Sequence, residues 1–481
     1  MLKIIDLIHR EHSTKLPFFI GKGFYSGIAL FLASLLVKFT ESQSEAIRSL
    51  ESFESLDHPN KCFILKGYAG TGKTTLVSYL VQRYRTQRKK IKLLAPTGRA
   101  AKVVANYAQA PASTIHKQIY FLSDTLEGNG LIRAKNLFHD TLFVVDEASM
   151  VGVESLGKEG NLLDDLMEYV FCGQDCSLMF VGDPGQLPPV GQTESPALNP
   201  EYLSVTYPSL RVFSYTLQEV VRQAADSQII QNATYVRQAT TLEAPYFYAC
   251  GVDVIRSNGL ELMDHLQSIP FEEMNSFVLL TLSNKRADLW NQEIRNRLFS
   301  YEEMIQRGEL LMVVRNNYFW AADRTMGLIA NGEMLKVKQV IKEEICYGVP
   351  FIHLRVDNLQ EEELSVICFT ETVDSGLPNL PRDHQKRLFF EIEKDYLSEK
   401  NKRKRYQLIM KNPYFNALQI KYAYAVTAHK AQGGQWDYVF VDYSFIPETM
   451  DKKGYLQWLY TCLTRASKKV YLVNFPDHFF G

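Results

Sequence analysis

Short apolar runs rich in β-branched residues recur along the chain, and each is followed by Gly, Asp or Thr and then by helix-like sequence. The runs begin near residues 62, 91, 141, 177, 276, 438 and 469. Near-continuous apolar strands that alternate with helices are typical of parallel sheets covered on both faces. Four runs precede residue 185 and three follow residue 275. The pattern therefore predicts two α/β domains with a boundary between residues 225 and 255.

Two stretches depart from this alternation. In residues 118–138, two short apolar-rich runs flank "EGNG", which predicts a β-hairpin with its turn at those residues. Between about residues 330 and 410, short strands of alternating polarity and a turn at Asn331-Gly332 predict a small β-barrel.

Composition restricts the class of protein. The chain has 481 residues, 46% hydrophobic and 22% charged, as expected of a soluble protein of several domains. Its net charge of −1 means that any nucleic-acid surface must come from local clustering. The seven cysteines are scattered, which predicts reduced thiols and a cytoplasmic location. The apolar run at 23–37 is too short to span a bilayer comfortably, so we expect a packed helical segment in residues 1–38 and no membrane contact.

The stretch "GYAGTGKTT" directly follows an apolar strand and precedes a helix-like run, which is the context of a phosphate-binding loop. Glycines at 67, 70 and 72 let backbone N–H groups close around phosphate oxygens. Lys73 is expected to reach the β- and γ-phosphates, and Thr74 to ligate Mg²⁺. The predicted nucleotide-binding residues of the loop are Gly67, Tyr68, Ala69, Gly70, Thr71, Gly72, Lys73, Thr74 and Thr75.

The stretch "FVVDEASM" ends an apolar run on two adjacent carboxylates, Asp146 and Glu147. Two like charges at the end of a buried strand are costly unless a cation or a reaction uses them. Beside a phosphate loop, Asp146 is expected near the Mg²⁺ and Glu147 is expected to orient and polarise the attacking water. The alternative is a helix whose first turn is acidic.

Seven further segments stand in the order seen in superfamily 1 helicases, and they most resemble the 5′-to-3′ branch of RecD-like and Dda-like DNA helicases. They are "FTESQSEAI" (39–47), "APTGRAAKVV" (95–104), "STIHK" (113–117), "VGDPGQLPPVG" (181–191), "LQEVVRQ" (217–223), "YAVTAHKAQGGQWDYVFVD" (424–442) and "YTCLTRASKKV" (460–470). The resemblance covers nearly the whole chain from about residue 35.

The resemblance implies an α/β fold with two RecA-like P-loop domains. The first, 39–225, would carry the 118–138 hairpin as a pin that splits duplex DNA, with Tyr120 and Phe121 as stacking residues. A plain surface excursion remains the alternative for that hairpin. The second, 226–481, would carry an SH3-like barrel at about 330–410.

The resemblance also implies roles for five residues of the nucleotide site. Gln43 would recognise adenine, which makes ATP the expected nucleotide, and Gln186 would hydrogen-bond the γ-phosphate or the attacking water. Arg222 and Arg465 would be arginine fingers that neutralise charge on the γ-phosphoryl group. Surface or solvated arginines are the alternatives. Gln432 would bind near the nucleotide and begin the turn that couples it to nucleic acid, although "QGGQW" departs there from the usual family pattern.

Hydroxyl, imidazole and ammonium groups at strand ends suit phosphate contacts that carry no sequence preference. The expected nucleic-acid residues are Thr97, Arg99, Thr114, His116, Pro188, Pro189, Thr427, His429 and Lys430. For the two histidines, a structural role is the alternative.

Together these features predict an ATP-dependent DNA helicase that uses Mg²⁺, moves 5′ to 3′ on single-stranded DNA and unwinds duplexes. We expect single-stranded DNA and single-strand/duplex junctions as partners, repair or recombination proteins as further partners, and a monomeric chain. The alternatives are a nucleic-acid-stimulated translocase or remodeller, including one acting on RNA, or a subunit of a nuclease complex.

Overall fold

The computed structural model describes most of the chain after residue 38. The described residues are 39–125, 128–153, 161–221, 227–239, 246–248, 250–270, 276–317, 319–320, 329–358, 362–373, 379–443 and 450–481. The predicted N-terminal helical segment, 1–38, and the predicted arginine finger Arg222 lie outside these ranges.

The first sheet contains six parallel strands, and its four inner strands are the four apolar runs predicted before residue 185. In spatial order the strands are Ala112–Thr114, Lys90–Ala95, Thr141–Val145, Ser177–Gly182, Lys61–Gly67 and Arg211–Leu217. The helices around it are Glu41–Ser55, Lys73–Thr86, Gly98–Ala108, Ile115–Ile119, Leu162–Phe171 and Pro200–Thr206, with 3₁₀ turns at Ala148–Met150 and Pro196–Leu198.

Helix Lys73–Thr86 illustrates how these helices attach. Its buried residues Leu76, Val77, Leu80 and Tyr84 recur at helical spacing and so form one apolar stripe. Each such side chain contributes about 1.5–3 kcal/mol when fully removed from water. The stripe therefore fixes the helix that begins at Lys73 against its own sheet.

The second sheet contains five parallel strands, and its three inner strands are the three runs predicted after residue 275. In spatial order the strands are Ala425–Thr427, Phe277–Thr281, Trp436–Asp442, Ala466–Val473 and Val254–Ser257. Its helices are Gln228–Gln238, Glu261–Gln267, Asn284–Ile294, Ala428–Ala431 and Lys452–Leu463, with a π-helical turn at Arg295–Phe299 and a 3₁₀ turn at Asp477–Phe479.

A closed barrel of five strands interrupts the second domain. Its strands are Leu310–Val313, Met334–Cys346, Val349–Asn358, Glu363–Phe369 and Leu418–Tyr422. Leu335, Ile352, Val366 and Ile420 lie in its buried core. Helices Arg382–Glu393 and Lys402–Met410 follow the fourth strand, with a 3₁₀ turn at Lys394–Tyr396 between them. The first and last strands lie outside the range 330–410, so the barrel takes in more of the chain than the pattern predicted.

A two-stranded antiparallel hairpin, Tyr120–Thr125 with Gly128–Arg133, stands apart from both sheets. Its register pairs Tyr120 with Arg133 and Thr125 with Gly128. The predicted turn at "EGNG" is therefore wrong in detail, because the pairing continues through residues 128–130 and makes them part of the second strand.

The predicted fold class, α/β with two parallel sheets and a small barrel, is confirmed. All seven cysteines are free thiols. Among the helices of the described ranges, none has both the length and the apolar composition needed to cross a membrane.

Candidate nucleotide site between two sheets

The phosphate-binding loop lies between strand Lys61–Gly67 and helix Lys73–Thr86. Gly70 and Gly72 have φ values of 78° and 83°, in the left-handed region that suits glycine. A Cβ atom at Gly72 would lie 2.2 Å from Gln43 Nε2. Buried Gln43 donates to the Thr71 carbonyl at 3.2 Å, so the predicted adenine-recognition residue lies directly against the loop.

Lys73 is folded back on the loop. Its ammonium donates to the carbonyls of Gly67 at 2.5 Å and Tyr68 at 3.1 Å, and it lies 3.8 Å from Asp183 Oδ2. Thr74 and Thr75 are exposed at the start of the helix. The loop thus presents one cation and two accessible hydroxyl side chains at the end of the inner strand.

Asp146 and Glu147 follow the neighbouring inner strand, Thr141–Val145. The Tyr107 hydroxyl donates to Asp146 Oδ2 at 2.7 Å. Burial, and then the charge of Glu147, raise the pKa of Asp146 to about 6. Glu147 has a φ of 52°. This left-handed conformation costs a non-glycine residue roughly 1–3 kcal/mol, and such strain is concentrated at functional sites.

Asp183 and Gln186 follow the next strand, Ser177–Gly182. Asp183 is 1% exposed, and burial raises the pKa of its carboxyl group while Lys73 opposes the rise. Its Oδ1 accepts from the Gly185 N–H at 2.9 Å. Gln186 Oε1 is buried and has no hydrogen-bond partner among the described residues. A buried acceptor of this kind is costly unless a ligand or water satisfies it.

Arg465 belongs to the second domain, where it lies between helix Lys452–Leu463 and strand Ala466–Val473. Arg465 Nη1 lies 3.6 Å from Glu147 Oε1 and donates to the Gly434 carbonyl at 3.3 Å. The side chain is buried, and its Nε has no partner within the described residues. An incompletely paired, buried guanidinium suits a further anion such as a phosphoryl group.

Several other side chains join the two domains at this cleft, and sequence reasoning missed them. The Tyr460 hydroxyl accepts from the Ala69 N–H and donates to Asp183 Oδ2, both at 2.8 Å. Arg237 lies over the Tyr68 ring, 3.8 Å from its centroid. Tyr460 stands within the quoted segment "YTCLTRASKKV", which was a usable signal, whereas no pattern pointed to Arg237.

The segment after Asp183 is also held by the second domain. The Leu187 N–H donates to Thr461 Oγ1 at 2.9 Å, and Gln432 Nε2 donates to the Leu187 carbonyl at 2.7 Å. Gln432 therefore contacts the residue that directly follows Gln186 in the chain. A cavity of about 430 Å³ lies here, bordered by Asp183 and Gln186 on one side and by Lys453 on the other.

The predicted nucleic-acid residues lie at or after the ends of strands in both sheets. Thr114 and Thr427 end edge strands and are followed by His116, His429 and Lys430, whereas Thr97, Arg99, Pro188 and Pro189 follow inner strands of the first sheet. Thr97 and Thr114 accept from backbone N–H groups at the starts of the following helices, so both hydroxyls cap helices. Burial lowers the pKa of His116 and of His429. It lowers the pKa of Lys430 to about 8. Of the remaining predicted nucleic-acid residues, Thr427 and Pro188 are buried and Pro189 is partly exposed. The Arg99 guanidinium lies over the Trp436 ring, 3.6 Å from its centroid.

The Tyr120 side chain is engaged at the foot of the hairpin. Its hydroxyl donates to Asp165 Oδ2 at 2.6 Å, and Arg133 Nη1 lies 3.1 Å from Asp165 Oδ1. The register places this pair at the end opposite the turn. The Tyr120 hydroxyl thus anchors the hairpin to helix Leu162–Phe171, a contact that the sequence did not predict, and stacking of Tyr120 on a base pair stays a prediction. The Phe121 side chain lies outside the described residues.

These features define a class of protein. A phosphate-binding loop, acidic residues after two neighbouring strands and an arginine supplied by a second parallel sheet make a nucleotide-hydrolase site shared between two P-loop-type domains.

Comparisons with known proteins agree with this class. A family model described as an AAA domain matches residues 38–251, and one described as a UvrD-like helicase C-terminal domain matches residues 422–473. The ATP-dependent DNA helicase Dda of Enterobacteria phage T4 is 25% identical over 57% of this chain and 60% of its own length. The ATP-dependent RecD2 DNA helicase of Deinococcus radiodurans is 32% identical over 36% of this chain and 21% of its own length.

A crystal structure of Pif1 helicase from Bacteroides in complex with ADP-AlF3 and single-stranded DNA covers 92% of this chain and 95% of its own, with 16% identity and a TM-score of 0.47. The two family models and the Dda and RecD2 relatives support the predicted similarity to superfamily 1B helicases of the RecD- and Dda-like type. The same relatives support an ATP-hydrolysing enzyme of the helicase class.

Proposed function

We propose that this protein is an ATP-dependent DNA helicase that moves 5′ to 3′ along single-stranded DNA and unwinds duplex DNA ahead of it. The approach of Arg465 to Glu147, 3.6 Å across the cleft, carries the proposal. One residue follows a helix of the second domain and the other a strand of the first, so closure of the cleft completes the catalytic set. DNA as the substrate and the direction of movement rest on the family.

The chemistry follows from the side chains of the cleft. Glu147 accepts a proton from the water that attacks the γ-phosphorus, while Lys73 and Arg465 neutralise the charge that develops on the γ-phosphoryl oxygens. Gln186, whose buried Oε1 has no partner among the described residues, orients that water or hydrogen-bonds the γ-phosphate, and so couples the nucleotide to the adjacent Leu187. Arg222 is proposed as a second arginine finger.

The residues present suit a bound Mg²⁺. Mg²⁺ is commonly held by one or two protein oxygens together with substrate phosphates and water, so a larger protein cluster is not needed. Thr74, with its exposed hydroxyl side chain, and Asp146, beside a second carboxylate, are the residues that would hold it. When bound, the ion would add positive charge beside the β- and γ-phosphates.

Movement along DNA requires that the two domains grip the strand alternately. In the first sheet, Thr114 ends the edge strand, His116 follows it, and Thr97 follows the neighbouring inner strand. In the second sheet, Thr427 ends the edge strand, and His429 and Lys430 follow it. Closure around ATP would bring the two groups together, and opening after hydrolysis would separate them. Each cycle of ATP hydrolysis would then advance one of the two groups of residues along the sugar-phosphate backbone of the DNA strand.

The hairpin is proposed as the pin that separates the strands at a single-strand/duplex junction. Tyr120 and Arg133, the paired residues at the open end of the hairpin, both donate hydrogen bonds to Asp165, which fixes that end of the two strands. A wedge must resist the duplex it meets, and this anchoring supports that role.

The deciding experiment measures ATP hydrolysis by the isolated chain with and without single-stranded DNA, and unwinding of duplexes that carry a 5′ or a 3′ tail. Stimulated hydrolysis with unwinding only from the 5′ tail is the expected result. Hydrolysis without unwinding would favour a translocase or remodeller. Stimulation by RNA alone would reassign the substrate, and an inactive chain would favour a subunit of a larger complex.

A further inference from the structure

Tyr460 makes a contact at the nucleotide cleft that none of the proposed catalytic roles uses. It lies on helix Lys452–Leu463 of the second domain and is 2% exposed. Its hydroxyl accepts from the backbone N–H of Ala69, in the phosphate loop, and donates to Asp183 Oδ2, after a different strand of the first sheet. One buried hydroxyl therefore joins three elements from two domains.

The two partners of this hydroxyl have few substitutes. Asp183 is buried, and within the described part of the chain the other polar contacts of its carboxylate are the Gly185 N–H at 2.9 Å and the Lys73 ammonium at 3.8 Å. Burial already raises the pKa of Asp183, so loss of a donor would disfavour its charged form further. The Asp183 carboxylate lies 3.8 Å from the Lys73 ammonium, so its charge contributes to the electrostatic surroundings of Lys73.

The position of the hydroxyl also sets the position of Arg465. Tyr460 stands five residues before Arg465, in the last turn of the helix that leads to it. A Cβ atom at Gly185 would lie 3.0 Å from the Tyr460 ring, so the ring itself is also in close contact with the Asp183 segment. The hydroxyl and ring therefore determine how near the end of this helix comes to the phosphate loop.

We infer that Tyr460 is a positioning residue for ATP hydrolysis: its hydroxyl fixes the closed spacing between the phosphate loop and the helix that carries Arg465. The inference rests on the proposed function for its catalytic consequence. The closed spacing itself does not depend on turnover and can be measured without it.

Tyr460→Phe removes the hydroxyl and keeps the ring, and the chain offers a matched control. Tyr455 lies on the same helix, is fully buried, and its hydroxyl has no hydrogen-bond partner among the described residues. Tyr455→Phe therefore removes a similarly buried hydroxyl that bonds to none of the described residues. We expect Tyr460→Phe to lower kcat for ATP about 10- to 100-fold, with KM changed less than about threefold, whereas Tyr455→Phe should leave both near wild type.

Spacing is measured through Trp436, which is 4% exposed and covered by Arg99 of the first domain. Acrylamide quenching is compared between each chain and the same chain carrying Trp436→Phe, so that the difference isolates this tryptophan. Tyr460→Phe should make Trp436 more accessible to acrylamide without nucleotide, and Tyr455→Phe should not.

Equal behaviour of the two phenylalanine variants in both measurements would overturn the inference. A Tyr460→Phe chain in which KM rises by the same factor as kcat falls would overturn it as well. A wild-type chain with no DNA-stimulated hydrolysis, but with the expected difference in Trp436 quenching, would refute the proposed function and leave the positioning contact standing.

Discussion

Arg465 Nη1 lies 3.6 Å from Glu147 Oε1, although the two residues are 318 positions apart and follow elements of different sheets. This contact does not satisfy the whole guanidinium, because Arg465 Nε has no partner among the described residues. The oxygen of a γ-phosphoryl group could accept a hydrogen bond from that nitrogen. The first predictions concern this pair.

Glu147→Gln should stop ATP turnover while ATP and single-stranded DNA still bind. The amide keeps the shape of the side chain but cannot accept the proton of the attacking water, so we expect kcat to fall about 10²- to 10⁴-fold. Steady-state ATPase rates and fluorescent-nucleotide binding check this. Exposed Glu194, paired with Lys453, gives a control in Glu194→Gln. Normal turnover in Glu147→Gln would refute the role of general base.

Arg465→Ala should lower kcat by about 10³-fold or more and ATP affinity far less, as expected of a group that stabilises the transition state. Arg465→Lys should recover little, because an ammonium cannot reproduce two directed N–H donors. Comparable losses in affinity and rate would make Arg465 a binding residue. Arg256→Ala, at an exposed arginine that pairs with Asp477, is the control.

Lys73→Ala should abolish measurable ATP turnover, because the loop loses the cation expected at the β- and γ-phosphates. Lys89→Ala removes a largely exposed ammonium and should leave the rate unchanged. Circular dichroism of both variants separates a catalytic loss from misfolding. Turnover within about tenfold of wild type in Lys73→Ala would contradict the phosphate-loop interpretation.

Affinity for single-stranded DNA should depend on the protonation of Lys430. Burial lowers its pKa to about 8; Lys421 adds to this effect, and Asp288 opposes it. As pH rises through that value the free protein loses the charge, so affinity should fall about tenfold between about pH 7 and pH 9.5. Lys430→Arg remains charged and should flatten the profile. An unchanged profile in that variant would remove Lys430 from the DNA site.

Removing the projecting part of the hairpin should separate unwinding from translocation. Phe121 pairs with Ile132, so an Asn-Gly turn in place of residues 122–131 joins a matched pair. Tyr120 and Arg133 keep their contacts with Asp165. We expect unwinding to fall at least about tenfold while DNA-stimulated ATPase stays within about twofold of wild type. Undiminished unwinding would make the hairpin a plain surface excursion.

The sequence predicted the inner strands of both sheets and none of the outer ones. Inner strands such as Thr141–Val145 are buried throughout and read as unbroken apolar runs. The outer strand Arg211–Leu217 is mostly accessible, and Ala112–Thr114 has only three residues, so neither gives a recognisable run. Edge position thus weakens the pattern that reveals a strand.

The nucleotide site was predictable to the extent that its residues lie in continuous segments. Lys73, Asp146 and Arg465 stand in motifs with fixed spacing. The Tyr460 bridge and the Arg237–Tyr68 contact depend on how the two domains meet, which no local pattern encodes. Likewise, nothing in the local sequence around Arg99 indicated that Trp436, more than 300 residues away, would cover its guanidinium.

The barrel and the second sheet share an uninterrupted stretch of backbone. The last barrel strand, Leu418–Tyr422, is followed after two residues by Ala425–Thr427, the edge strand that precedes His429 and Lys430. The connecting residues are themselves held, since the Ala423 N–H donates to the Leu310 carbonyl and the Tyr424 carbonyl accepts from the Leu279 N–H. Because this connection is short and hydrogen-bonded on both sides, a displacement of the barrel is transmitted through the backbone to the strand end at Thr427. The position of the barrel and the position of the predicted DNA-contacting residues His429 and Lys430 are therefore mechanically linked.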